Sequence, residues 1–219
     1  MYKEAILKDK RVFIQYYWSL LKKGDLILFS FIPNNDYNSM IIKISLFFFS
    51  FRLYYTINAL FFTDSTMDKI YDDFGEYDFI YQIPKLLYTN LICSVINIIV
   101  KSLSLSERDI LKIKLIKTKR RFQYRIKNIL NCLNYKFVIY YLISYCFLVI
   151  FWFYVGTFCS VYKKTQIYLI KDTVISFSLS LLYPIGYYLL PGILRIFSLR
   201  STKKNRHFIY KLSSILQLL

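Results

Sequence analysis

The residues best suited to chemistry in this 219-residue chain are charges in unusual places. Arg52 lies near the middle of the apolar run MIIKISLFFFSFRLYYTINALFF, Met40 to Phe62. A guanidinium at the centre of a bilayer costs about 2.5–3.5 kcal/mol on insertion scales, so such a group usually faces a bundle interior or a water-filled path. Its expected partners are Asn58, Asn90, Asn97 and Ser94, or an acid of the following loop reached by snorkelling. A span shifted along the sequence would instead leave Arg52 nearer an interface. The second feature is FFTDSTMDKIYDDFGEYDF, Phe61 to Phe79. It holds Asp64, Asp68, Asp72, Asp73, Glu76 and Asp78, six of the 13 acids in a chain of net charge +17. Carboxylate oxygens suit Ca²⁺, but the spacing of these acids and the place of Gly75 do not follow the calcium-loop pattern. The stretch reads as a solvated loop or, failing that, a weak cation-attracting vestibule.

Other chemistry is not written in recognisable form. Cys93, Cys132, Cys146, Cys159 and the single His207 are scattered, without a C-x-x-C pair or zinc-ligand spacing. They read as small apolar fillers, so no metal, cofactor or disulfide framework is expected. The chain has no G-x-S-x-G, no H-E-x-x-H and no phosphate-binding loop. A T-V-G-Y-G filter and a regular arginine ladder are absent as well. The expectation is a protein that is not an enzyme.

The elements that hold these residues are apolar runs. The chain is 56% hydrophobic and 20% aromatic, above the ~45–50% apolar content of soluble domains. A spanning helix needs about 20 mainly apolar residues. Four stretches qualify, at 40–62, 83–100, 137–159 and 173–194. The third, FVIYYLISYCFLVIFWFYVGTFC, carries no charge. Lys43 and Lys85 sit near opposite ends of the first two and are expected to snorkel to the interfaces. The fourth contains Pro184, Gly186, Pro191 and Gly192, which predict a kink or partial unwinding, either lining a cavity or serving packing alone.

Two further stretches read as amphipathic. In residues 11–22 a polar stripe of Arg11, Gln15, Ser19 and Lys22 opposes Phe13, Ile14, Tyr17, Trp18 and Leu21, suiting a helix in the membrane interface. The run LILFSFIP that follows is too short to span. Residues 101–136 combine apolar residues at helical spacing with Lys117, Lys119, Arg120, Arg121 and Arg125. Ser104 with Glu107, or Ser106 with Asp109, would cap this helix, and a break in its middle is expected. KTKRR resembles a nucleic-acid patch, but apolar spans on both sides argue for anionic inner-leaflet lipid instead. The start, MYKEAILKDKRVFIQYYW, lacks the apolar core and cleavage site of a secretory signal.

Orientation follows from Lys and Arg, which accumulate in cytoplasmic loops. The segments before the first span, between the second and third, and after the fourth hold six, eleven and six of them; the other two loops hold one and three. Four spans with both termini cytoplasmic fit this distribution. The fold expected is all-α and integral to the membrane, with residues 1–38 as an N-terminal cytoplasmic segment and 39–219 as the transmembrane domain. Residues 101–136 form its basic helical loop and 195–219 its cytoplasmic tail.

Three stretches, YYTINALFFTDSTMDKIYDD (Tyr54 to Asp73), YQIPKLLYTNLICSVINIIVKSLSLSERDIL (Tyr81 to Leu111) and LLYPIGYYLLPGILRI (Leu181 to Ile196), resemble a family of multi-spanning membrane proteins of single-celled eukaryotes. The likeness runs from about Tyr16 to Ser201 and implies a membrane module, in some members the C-terminal end of a longer surface protein. It implies no activity and no site residues.

The function expected is a membrane anchor or interaction module. The alternative is a small channel or transporter, assembled as a homo-oligomer, with Arg52 and the acidic loop on its path. Cysteines placed singly at Ser65 and Thr118 in a cysteine-free background should react with impermeant maleimide from opposite sides of the membrane. Reaction of both from one side would refute the four-span arrangement.

Overall fold

A computed structural model describes residues 11–34, 36–74, 76, 78–114, 119–161, 165–200 and 206–217, and among them the chain is all-helical, without a strand. The helices are α1 (Phe13–Gly24), α2 (Leu26–Phe31), α3 (Met40–Leu60), α4 (Asp64–Asp72), α5 (Phe79–Ser104), α6 (Glu107–Lys114), α7 (Lys119–Val161), α8 (Gln166–Arg200) and α9 (Arg206–Leu216). Four of them, α3, α5, α7 and α8, are long and apolar enough to cross a membrane. They fall on the four stretches expected from the sequence.

The chain divides into two compact units, Asn35–Ser178 and Met1–Asn34 with Leu179–Leu219. The division falls within α8.

In the larger unit α3 is the hub. It has no glycine or proline in 21 residues, and apolar side chains surround it, the pattern of a helix enclosed by others. About half of it is buried, whereas α7 is the most exposed of the four. Pairings fix the directions. Ser50, Tyr54 and Asn58 of α3 meet Asn97, Asn90 and Thr89 of α5, so these helices run antiparallel. Ser45, Phe49, Tyr55 and Phe62 meet Tyr140, Phe147, Phe151 and Phe158, so α3 and α7 run parallel. Phe177 of α8 touches Phe47, Phe51 and Tyr54 edge-on, with ring centroids 5.5–5.6 Å apart. That alternation of direction is what successive crossings require.

The sequence accounts for the ends of these helices. Asp78 caps α5, accepting from the backbone N–H groups of Ile80 and Tyr81. Leu105 turns extended after α5, and α6 begins two residues later. Its cap is neither Ser104 with Glu107 nor the Ser106 side chain. The side-chain oxygen of Asn38, distant in sequence, accepts from Ser106 N–H and Glu107 N–H at 3.0 and 3.2 Å. The Ser106 hydroxyl is drawn to the Tyr37 carbonyl instead. The middle of the basic segment, residues 115–118, where a break is expected, lies outside the described residues. Helix α7 then runs unbroken for 43 residues, about 65 Å at 1.5 Å per residue, twice the ~30 Å hydrocarbon core.

In the smaller unit α1, α9 and the second part of α8 pack together. Tyr17 donates to the Ile185 carbonyl and Ser213 to the Pro191 carbonyl. Gly192 admits the Phe13 ring, which would lie 3.1 Å from an added Cβ. The helix is continuous through Pro184 and Pro191, so of the kink or partial unwinding expected there, the unwinding is not seen. The six-residue α2 is too short to span, as its sequence indicates.

Phe177→Ala removes three ring contacts at once. It should destabilise the detergent-solubilised protein by about 1–3 kcal/mol, less than the ~3–5 of a water-soluble core, because packing and not transfer from water is lost. Phe48→Ala, at a half-exposed position, should leave the unfolding midpoint unchanged.

Candidate functional site

The polar side chains of the larger unit converge on a seam along α3. At its centre Asn58 is fully buried and donates to the Ser176 hydroxyl at 2.8 Å, while its carbonyl oxygen accepts from Thr89 at 3.1 Å. One amide thus joins α3 to α8 and α5. Ser176 in turn donates to the Asp172 carbonyl. Asn90 accepts from Tyr54, and Asn97 donates to Ser50 at 2.9 Å. The three asparagines singled out in the sequence are therefore brought together, as ties between α3 and its neighbours.

Ion pairs close both ends. Lys85 Nζ lies 2.5 Å from Asp172 Oδ2 and 5.0 Å from the centroid of the Phe62 ring. The Asp172 side chain is 1% exposed, and removing one partner of so buried a pair is strongly destabilising. At the other end Lys43, 2% exposed, meets Asp36 at 2.6 Å. Asn38 also donates to Asp36, and Lys136 at the base of the third apolar stretch binds Asp109 at 2.8 Å. Lys43 and Lys85 were expected to reach out to the interfaces. Each pairs with a carboxylate against the bundle, Lys43 with Asp36 and Lys85 with Asp172.

Arg52 is not met by Asn58, Asn90, Asn97 or Ser94. Its Nε donates to the Phe48 carbonyl at 3.2 Å, one turn back on its own helix. Among the described residues it forms no ion pair. Thr56 donates to the Arg52 carbonyl. Arg52 is half-buried, near the midpoint of α3.

The acidic stretch does not converge. Asp64, Asp68, Asp72 and Glu76 are exposed. Asp64 occupies the first turn of α4, where a negative charge complements the helix dipole. Asp73 pairs with Lys69 at 2.9 Å and holds that ammonium's pKa above its ordinary value, first through the hydrogen bond and then through its charge. Asp78 is spent on capping α5. No group of three or more metal-ligating side chains gathers among the described residues. Thr66, Met67 and Ile70 face inward, and α4 packs as a lid on Ala59, Phe62, Phe158, Tyr168 and Leu169. Phe74, with φ of 50°, turns the chain out of this helix.

Of the basic residues assigned to lipid contact, Lys117 lies outside the described residues. Lys119, Arg120, Arg121 and Arg125 occupy the first two turns of α7. The residues that complete the seam, Asp36, Thr89, Asp172 and Ser176, were not singled out by sequence reasoning. A signal existed for Asp172: it is the one acid at the edge of the fourth apolar stretch, and Lys85 is the cation at the N-terminal edge of the second.

Comparison of the chain with protein-family models, with curated proteins and with solved structures gives no match. The functional reading therefore rests on this geometry.

Asp172→Ala strands Lys85 and should cost about 3–5 kcal/mol, whereas Lys85→Met with Asp172→Leu together should recover most of it. A double-mutant cycle on the purified protein measures both. Additive losses would mean that the pair is not coupled.

Proposed function

We propose that this chain is a four-span integral membrane protein, with both termini in the cytoplasm, that acts as an anchor or interaction module without catalysis. One observation carries the reading. Polar groups along the seam of α3 are occupied with one another: Asn58 with Thr89 and Ser176, Asn97 with Ser50, Lys85 with Asp172. Groups committed to each other close a bundle rather than line a water-filled route. The outward residues of α7, among them Tyr145, Trp152 and Phe153, are apolar and exposed, which suits lipid or a neighbouring protein. The orientation is supported by the Lys and Arg distribution. On this side assignment α6 and the basic start of α7 lie by the anionic leaflet, where each cation contributes about 1 kcal/mol.

Transport by a homo-oligomer is the second reading, and Arg52 favours it. A half-buried guanidinium near mid-helix without a carboxylate among the described residues is a net positive charge in the span. Reconstitution into liposomes separates the two. The anchor reading predicts ion and solute flux equal to that of empty vesicles, before and after Arg52→Leu. Flux above that level which changes on Arg52→Leu would replace it with transport.

A further inference from the structure

Arg52 carries a charge without a carboxylate among the described residues. Its Nε is held by the Phe48 carbonyl, and its two Nη groups have no hydrogen-bond partner among those residues. The charge sits deep. Helix α3 runs from Met40 to Leu60, so at 1.5 Å per residue Arg52 lies about 18 Å from one end and about 12 Å from the other. Side chains on a helix lean toward its N-terminus, and the bond to Phe48 draws the guanidinium that way. It therefore leans from the nearer end toward mid-helix. Snorkelling to the nearer interface would need the opposite lean.

The face around it is open. Ile41, Phe48 and Arg52 stand at i, i+7 and i+11, on one side of the helix. Ile41 and Phe48 are exposed, and Arg52 is half-buried. Ser45 and Tyr55 border this side and meet Tyr140 and Phe151 of α7. A helix seated on the stripe would thus lie beside α7.

The acids decide what covers it. All 13 Asp and Glu of the chain lie outside the stretches 40–62, 83–100, 137–159 and 173–194. Those near the edges are already paired: Asp36 with Lys43, Asp172 with Lys85, Asp109 with Lys136. A second copy of the chain therefore brings no carboxylate to the depth of Arg52. Charges inside a membrane pair with another group or face water. A guanidinium with both Nη groups available takes a carboxylate by two parallel hydrogen bonds. We infer that this face of α3 docks a membrane-spanning helix of a different protein, one that carries an Asp or Glu near its own midpoint to pair with Arg52; this rests on the membrane reading of α3 and gives the interaction module the chemistry of its partner.

The full chain, with a donor dye at its C-terminus, is reconstituted in phosphatidylcholine liposomes with acceptor-labelled, leucine-rich spanning peptides of about 24 residues. Energy transfer reports association. The peptides carry Glu, Gln, Leu or Arg at the centre, or Glu seven residues nearer one end. The wild type should associate about tenfold or more tightly with the central-Glu peptide than with the Gln peptide, the scale of a charge-assisted fork. Moving the Glu by seven residues, about 10 Å along the helix, should remove the preference. Arg52→Leu should remove it as well, and Arg52→Lys, charged without the fork, should fall between. Arg52→Glu should reverse it, favouring the central-Arg peptide; that gain guards against a variant that merely misfolds. Equal association of the wild type with the Glu, Gln and Leu peptides overturns the docking face. A Glu preference that survives Arg52→Leu does the same, since another cation would then be its source. Alkaline extraction checks insertion first. A chain washed from the vesicles contradicts the membrane reading itself, an outcome distinct from both.

Discussion

Pairing of polar side chains along α3 is the constraint on which the larger unit depends. Apolar helices gain little from the hydrophobic effect when their surroundings are as apolar as they are, so close packing and interhelical hydrogen bonds decide which faces meet. Each such bond contributes modestly, about 0.6 kcal/mol on average and up to ~1.7. Their value lies in specificity. Asn58 can satisfy its amide only where Thr89 and Ser176 both reach it, so the register of α5 and α8 against α3 is fixed by one residue. The ion pairs at the ends act in the same way. A buried pair adds little net stability over an apolar substitute, but it forbids arrangements that separate its partners.

The aromatic residues complete what the polar ones specify. Between α3 and α7 one side-chain hydrogen bond joins Ser45 to Tyr140. Beside it stand Phe49 with Phe147, Tyr55 with Phe151 and Phe62 with Phe158, all edge-to-face at 4.9–5.4 Å. Rings in that geometry set positive edges against negative faces and add about 0.5–1.5 kcal/mol per pair. Of the four long helices α7 is therefore the one held chiefly by shape, and also the one with most of its surface facing outward.

Long-range pairing is the part that the sequence conveys least. The four long helices were legible because run length and apolar content are local properties of Met40 to Leu60, Phe79 to Ser104 and their successors. The α1 stripe was legible for the same reason, and the structure joins Arg11 to Ser19 along it. Lys85 was legible as a charge but not as a partner, since Asp172 is 87 residues away. Arg52 drew attention by its position, yet its hydrogen bond is to its own helix. The acidic run from Asp64 to Asp78 looked like one feature and serves several: a dipole complement, an ion pair with Lys69, a helix cap and solvated surface. The cap of α6 escaped because Asn38 lies 68 residues from Ser106 in the chain.

What most needs testing is that α3 is the enclosed hub with α5 running antiparallel beside it. Ser50→Cys and Asn97→Cys, introduced together in a background without native cysteines, place two thiols where a hydroxyl and an amide now lie 2.9 Å apart. Oxidation in native membranes with copper phenanthroline should link them rapidly and nearly completely. Tyr145→Cys, at an exposed position on α7, should not link to Asn97→Cys. Absence of the Ser50–Asn97 link, or equal linking of both pairs, would contradict the arrangement.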